Sequence, residues 1–192
     1  MAKKIINIRT ETRCNTGWTP NEIIKSLTNI YSSQNTKIGI GGAIDKNGKL
    51  YWICISVKPF DDYEKTILED EVLRLINEER TKNGLNPVSK NDELAMVAHI
   101  KAQDNVDIST RSYKSVTYGY PDEMLKDITG ISANIGENLA DGATPLDILN
   151  SWMNSAEHKK NILSHKVEEV GIGIALMDNG LLYCSLMTIW KY

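Results

Sequence analysis

Three patterns in the sequence predict an α+β fold. Two long stretches carry apolar residues at helical spacing, one from about Thr66 to Lys82 and one from about Asp92 to Val106. Near the carboxyl end a capped helix precedes two apolar runs joined at Asn179-Gly180, the strongest short hairpin signal. The same helix-plus-hairpin pattern occurs a second time near the amino end.

In chain order the amino-terminal copy comes first. Thr19 is placed to cap a helix, and Pro20 takes the first helical position, where its missing N–H costs nothing. Ile23, Ile24, Leu27 and Ile30 form the apolar stripe of that helix. A hairpin follows, with Ile38, Ile40, Ile44, Leu50, Trp52, Ile53, Ile55 and Val57 around the turn at Asn47-Gly48. Lys58-Pro59-Phe60-Asp61-Asp62 reads as a linker. The next helix uses Leu68, Val72, Leu75 and Ile76 and stops at Asn83-Gly84. The one after it uses Leu94, Val97, Ala98 and Ala102. Residues 107–135 are loop-rich, with one short helix near Glu123. The carboxyl-terminal copy then starts at Thr144-Pro145, with Ile148, Leu149 and Trp152 as its stripe. Glycines at 39, 41, 171 and 173 alternate, so each pair lies on one face of a strand. A bulky element, a helix, is expected to approach that face closely.

The two copies match residue by residue. Gly17-Trp18-Thr19-Pro20 aligns with Gly142-Ala143-Thr144-Pro145, Ile38-Gly39-Ile40-Gly41 with Val170-Gly171-Ile172-Gly173, and Asn47-Gly48 with Asn179-Gly180. The offset rises from 125 to 132, so the first copy lacks seven residues where the second carries His158 and Asn161-Ile162-Leu163. Duplication and convergence on common turn chemistry both account for this. The shared Gly-x-Thr-Pro start and the paired Asn-Gly turns favour duplication. The chain therefore divides into a partial repeat at 1–60 and a main domain at 61–192.

Composition narrows the function. At 192 residues the chain can bury one good core plus a small appendage. A net charge of −3 gives no reason to expect nucleic acid or an anionic membrane as partner. No apolar run approaches the ~20 residues of a membrane span. Residues 1–9 are basic, but Asn7 and Arg9 interrupt any apolar stretch, so they do not read as a secretory leader. Of three cysteines, Cys14 is isolated, and Cys54 and Cys184 lie in strand-like runs where buried free thiols are common. No Cys/His spacing suggests a metal knuckle.

The motifs of the main domain carry a resemblance. Leu75-Ile76-Asn77-Glu78-Glu79-Arg80 with Gly84-Leu85, Glu93-Leu94-Ala95, Tyr118-Gly119, Gly136-Glu137-Asn138, and Trp152-x-x-Ser155-x-x-His158-x-x-Asn161-Ile162-Leu163 occur in this order. The set, from about Glu69 to Tyr192, resembles the CAP superfamily, the SCP-like domains of cysteine-rich secretory and pathogenesis-related proteins, in its bacterial branch. The resemblance implies an α-β-α sandwich and an extracellular or cell-surface setting. In relatives two histidines and two acidic residues line a central cleft, and in some members they hold a divalent metal. Carried over residue by residue, the second histidine is His158 and the Gly-Glu-Asn acid is Glu137. The acidic position three after the tryptophan is Ser155 here. The first histidine falls at Tyr113, and no histidine lies between 100 and 157.

Glu137 and His158 are thus the weak candidates for a metal and the candidates for acid–base catalysis, and no metal or cofactor is expected. A zinc site wants four Cys, His, Asp or Glu ligands, and tyrosine is a poor substitute. A carboxylate orienting an imidazole can make a general base. Ser155 and Ser112 are the available nucleophiles, and neither lies in a strained turn. A buried hydrogen bond from Glu137 to His158, tying two loops together, is the structural alternative. The expected cleft comprises Tyr113, Tyr118, Glu137, Ser155, Glu157, His158 and Asn161, with Tyr120 as a third loop tyrosine able to meet a lipid tail or a glycan. Trp152, Asn77 and Arg80 read as core and brace, His99 and His165 as rim or solvent residues, and Asn161 as a residue fixing its own turn.

The sequence favours non-catalytic recognition of a small apolar or glycan ligand, or of a protein partner. The alternatives are a metal-assisted or Glu/His-dependent hydrolase of peptides or cell-envelope material, and a purely structural interaction protein. The helix and hairpin of the first copy are too small to stand alone, so they are expected to extend the main sheet or pair in a homodimer.

Overall fold

The computed structural model describes residues 8–11, 37–48, 50–57 and 60–190. The chain forms two compact units that meet in sequence between Asp61 and Asp62. The first contains a three-stranded antiparallel sheet in the order β1-β3-β2, with β1 at Ile8–Glu11, β2 at Lys37–Ile44 and β3 at Leu50–Val57. The Asn47-Gly48 turn joins β2 to β3, and Gly48 takes the left-handed φ of +77° that such a turn needs. The expected helix from Thr19 lies outside the described residues.

The second unit is an α-β-α sandwich. Its elements are α1 (Asp62–Lys82), β4 (Ser89–Lys90), α2 (Asp92–Asp107), α3 (Pro121–Thr129), β5 (Ile135–Gly142), α4 (Pro145–Met153), α5 (Ala156–Ile162), β6 (Val167–Leu176) and β7 (Leu182–Trp190). The sheet runs β4-β6-β7-β5, antiparallel except for the short parallel β4–β6 pair. Helices α2 and α3 cover one face; α1 and α4 cover the other.

Helix α1 starts four residues earlier than the sequence pattern placed it. Thr66 lies inside the first turns, and its hydroxyl donates back to the Asp62 carbonyl, a bond open to threonine inside a helix. Gly84, at φ +73°, ends it. Thr144 caps α4 in a reciprocal box with Asp147, as its place before Pro145 suggests. Arg80 is buried and donates to the carbonyls of Asn86, Ile162, Ser164 and Val167, while Asn77 exchanges two bonds with Val88. Together they tie α1 to the loops flanking β4 and β6. Trp152 is fully buried, and Cys184 is a buried free thiol whose pKa burial pushes up.

The glycine pair of β6 determines where α2 lies. A Cβ at Gly171 would come within 2.2 Å of Leu94, and one at Gly173 within 2.2 Å of Ala98. Helix backbone therefore rests almost directly on strand backbone. Gly171 pairs with Met187, Gly173 with Ser185 and Ala175 with Tyr183, so these share the α2-facing side of the sheet. Glu137 pairs with Met187 from the other flank and shares that side.

Candidate functional site

The close approach of α2 brings its second half over β5 and β7. The core face of α2 carries Leu94, Val97, Ala98, Lys101, Ala102 and Asn105, all buried. Leu94, Val97 and Ala98 pack with Met124, Leu125 and Met187. Beyond them the same stripe turns polar.

Glu137 leaves β5 toward this stripe and is only 9% exposed. Its Oε1 accepts from Ser185 Oγ at 3.0 Å, and its Oε2 has no hydrogen-bond partner. Burial pushes its pKa from the usual 4.5 up to about 7, with Lys101 and the Ser185 hydroxyl pulling the other way. Lys101 is fully buried, and its Nζ is also without a partner. Burial lowers its pKa, against the pull of Glu137 and Asp104. Asn105 donates to the Tyr183 hydroxyl and to the Ser112 carbonyl, and its own Oδ1 accepts from Ser112 N–H. Ser115 donates to Asp104. The 108–120 loop is thereby anchored to α2 at two points.

That loop delivers Tyr113 to His158. The Tyr113 hydroxyl lies 2.9 Å from His158 Nε2. Burial and the charge of Glu137 raise the phenol's pKa, so it stays protonated, while burial lowers that of His158 against the charge of Glu157. The ring of Tyr113 is 45% exposed. Tyr120, on the same loop, is also exposed, with Lys114 Nζ 5.6 Å from its ring centre.

Several expected residues have different roles. No hydrogen bond joins Glu137 to His158 among the described residues. Glu137 points across the sheet to Ser185, while His158 sits on α5 beside edge strand β5 and meets Tyr113 instead. The tie between the two motifs is made by their neighbours. Asn138 Nδ2 donates to the His158 carbonyl, and Asn161 Nδ2 to Asn138 Oδ1, so Asn161 braces β5 rather than its own turn. Tyr118 is half-buried and packs on the Leu94–Met187 cluster, and the chain turns after it at Gly119, φ +80°. Ser155 caps α5 by accepting from His158 N–H, and Glu157 is exposed. His99 is bonded through Nε2 to buried Glu69 at 3.1 Å, and so is tied at one end rather than free on the rim. His165 is exposed.

Sequence reasoning passed over Lys101, Asn105, Tyr183 and Ser185. The signal was present for the first two: a lysine and an asparagine at core positions of an apolar helical stripe are costly unless used. A metal of the kind held by some relatives does not fit these residues. Where a second imidazole would stand there is a phenol bonded to the first, and among the described residues no three His, Cys, Asp or Glu side chains cluster to hold an ion.

Comparison with known proteins agrees with this fold. The family profile described as "CAP: Cysteine-rich secretory protein family" matches residues 73–187, more than half of the chain. Bacillus subtilis (strain 168) YkwD is 41% identical over 107 residues, which are 55% of this chain and 41% of that protein. The membrane protein YlbC of the same organism is 28% identical over 114 residues, 57% of this chain and 32% of that protein. The chain thus spans well under half the length of these curated relatives. Among solved structures, an extracellular protein containing an SCP domain from Bacillus anthracis superposes with a TM-score of 0.59 at 16% identity, covering 97% of this chain and 68% of that one. An outer surface protein from Borrelia burgdorferi gives 0.58 at 20% identity, covering 64% and 92%. These two share the fold.

Proposed function

This chain belongs to the CAP (cysteine-rich secretory protein) family, and from that premise we propose that it is a non-catalytic recognition protein taking a small ligand at the Tyr113–His158 mouth beside Glu137. The observation that carries this reading is the 2.9 Å contact between the Tyr113 hydroxyl and His158 Nε2. A general base needs a ring nitrogen free to take a proton from substrate or water, and an orienting carboxylate behind it. Here the nitrogen is engaged by a phenol, and the carboxylate faces Ser185. Half-exposed Tyr113 and Tyr120 offer instead rigid amphipathic rings of the kind that take up sugars and apolar groups at low entropic cost. We place the protein outside the cell or on its surface, the setting that the family's description suggests. Among the described residues no helix is long and apolar enough to cross a membrane.

A hydrolase remains the competing reading, and Glu137 supports it, since a proton affinity near neutrality suits acid–base work. Two measurements on the full chain decide between them. Amide spectra recorded with an oligosaccharide and with palmitate should show shifts centred on Tyr113, Tyr120 and His158 for at least one probe, weakened at least tenfold by Tyr113→Ala. Peptidase or amidase turnover that survives purification and vanishes in Glu137→Gln would establish the hydrolase and end the recognition reading.

For the unit ending at Asp61 we propose the role of a partial copy of the second half of the sandwich, pairing with its counterpart in a second chain. Its sheet leaves β1 and β2 as edges among the described strands, and Ile44 stands 69% exposed. Sedimentation of the full chain should show a concentration-dependent dimer, and a chain begun at Asp61 should lose it. A full chain that stays monomeric at every concentration would exclude the pairing.

A further inference from the structure

We infer that Lys101 and Glu137 form the polar floor of the site and hold one hydroxyl group between Nζ and Oε2, so that the ligand is a hydroxylated one, a glycan or polyol, rather than a plain acyl chain. This rests on the recognition reading above and gives its ligand class.

Lys101 Nζ and Glu137 Oε2 are both buried and both without a hydrogen-bond partner. A buried charged group left unpaired costs several kcal/mol, and a direct ion pair would be the usual remedy. These two groups do not make one, although each is the largest electrostatic influence favouring the other's charge. Lys101 lies on the core face of α2 and Glu137 on the α2-facing side of the sheet, so the two are neighbours set apart by more than a hydrogen bond.

No adjacent side chain is left to fill the gap. Ser185 Oγ is committed to Glu137 Oε1. Asn105 spends its amide on Ser112 and Tyr183. Asp104 takes the Ser115 hydroxyl, and Tyr113 holds His158.

The chemistry of the pair selects its guest. Lysine offers donors and a carboxylate offers acceptors, so one bridging group must accept from Nζ and donate to Oε2. A hydroxyl does both. A ligand carboxylate only accepts, an ammonium only donates, and a methylene does neither. With Glu137 protonated a hydroxyl still fits, accepting from both Nζ and the carboxyl O–H, but an acceptor-only group then fits as well, so the selection belongs to the ionised carboxylate. Tyr113 stands near enough for the charge of Glu137 to act on its phenol, which sets the pair beside the Tyr113–His158 contact.

The test uses the full chain and two probes, tetra-N-acetylchitotetraose and palmitate, titrated by calorimetry. The chitotetraose should bind, and Lys101→Met and Glu137→Gln should each weaken it by roughly tenfold or more, the loss expected when one buried polar partner goes unpaired. Amide spectra check that both variants keep the fold. A second measurement does not depend on either variant: the carboxyl ¹³C resonance of Glu137 should shift, and its titration midpoint move, when wild-type protein is saturated with the sugar. Sugar binding that is equal in wild type and Lys101→Met, or a Glu137 resonance indifferent to bound sugar, would overturn the hydroxyl anchor and leave the recognition reading standing. Binding of palmitate alone would overturn the ligand class in the same way. No binding of either probe by wild type would bring down both.

Discussion

Two hairpins in this molecule are written in nearly the same residues, yet among the described residues they meet different surroundings. Both have alternate glycines in their first strand, and both turn at Asn-Gly with a left-handed glycine, Gly48 at φ +77° and Gly180 at φ +86°. In β6–β7 the glycine face lies under α2, at distances no added methyl group would tolerate. In β2–β3 no atom of the described residues lies within 4 Å of a Cβ placed on Gly41, and Ile44 is exposed. The strand pattern thus encodes a hairpin and a smooth face but not what covers it. Only where a helix settles on that face are Lys101 and Asn105 brought over Glu137, Ser185 and Tyr183. The site follows from the covering helix, not from the hairpin.

The largest expected effect breaks the covered side of this comparison. Gly173→Ala puts a methyl group 2.2 Å from the Ala98 backbone, so α2 must move. Overpacking against backbone falls at or beyond the top of the usual 1–3 kcal/mol range, and we expect a loss upwards of about 3 kcal/mol in urea denaturation. A loss below about 1 kcal/mol would show that α2 is not held by close approach.

Next comes the charge that α2 buries. Raising the pKa of Glu137 from 4.5 to about 7 means that the folded protein holds its proton more tightly than the unfolded chain. The stabilisation, about 3 kcal/mol at most, is complete below about pH 4.5 and is lost as pH rises through about 7. His158, whose pKa is lowered, contributes a slope of opposite sign. Lys101, also lowered, contributes a slope of the same sign as His158, and Asp104, Tyr113 and Tyr183 also neighbour the pair. Subtraction of a Glu137→Gln stability profile from that of wild type isolates the term. Parallel profiles between pH 4.5 and 7 would mean that Glu137 is not desolvated as the structure has it.

A third test concerns the histidine motif, which lies in the second unit. Tyr113→His returns a second imidazole beside His158 and should raise zinc affinity at least tenfold, about 1.4 kcal/mol, by calorimetry. Tight zinc binding by the unaltered chain, abolished in His158→Ala, would reverse the conclusion about the donor set. The smallest effect is on the first hairpin: Gly41→Ala, with none of the described residues within 4 Å of the added carbon, should change stability by less than about 0.5 kcal/mol, or raise it slightly, since glycine is entropically costly in a strand. A loss comparable to that at Gly173 would show that something covers Gly41 after all.

The local half of this protein was legible in its residues. Thr144-Pro145 caps α4, Asn83-Gly84 ends α1, and Asn179-Gly180 turns β6 into β7, because caps and tight turns depend on a few consecutive dihedrals and side-chain bonds. The periodic stripes of α1 and α2 and the glycine face awaiting a helix were equally plain. Glu137 and His158 were recognisable by motif, but their partners were not. Ser185 stands 48 residues from Glu137, and Tyr113 stands 45 from His158, with nothing local to mark either pairing. Lys101 is the instructive case. Its place on an apolar stripe was visible in the sequence, but its meaning emerged only when close packing set it beside Glu137. By itself the sequence determined the elements, their order and the two motif-bearing strands, all governed by short-range sterics and periodicity. The tertiary structure decided which polar groups are desolvated and which face one another, because burial and Coulomb energy depend on spatial neighbours rather than on neighbours along the chain.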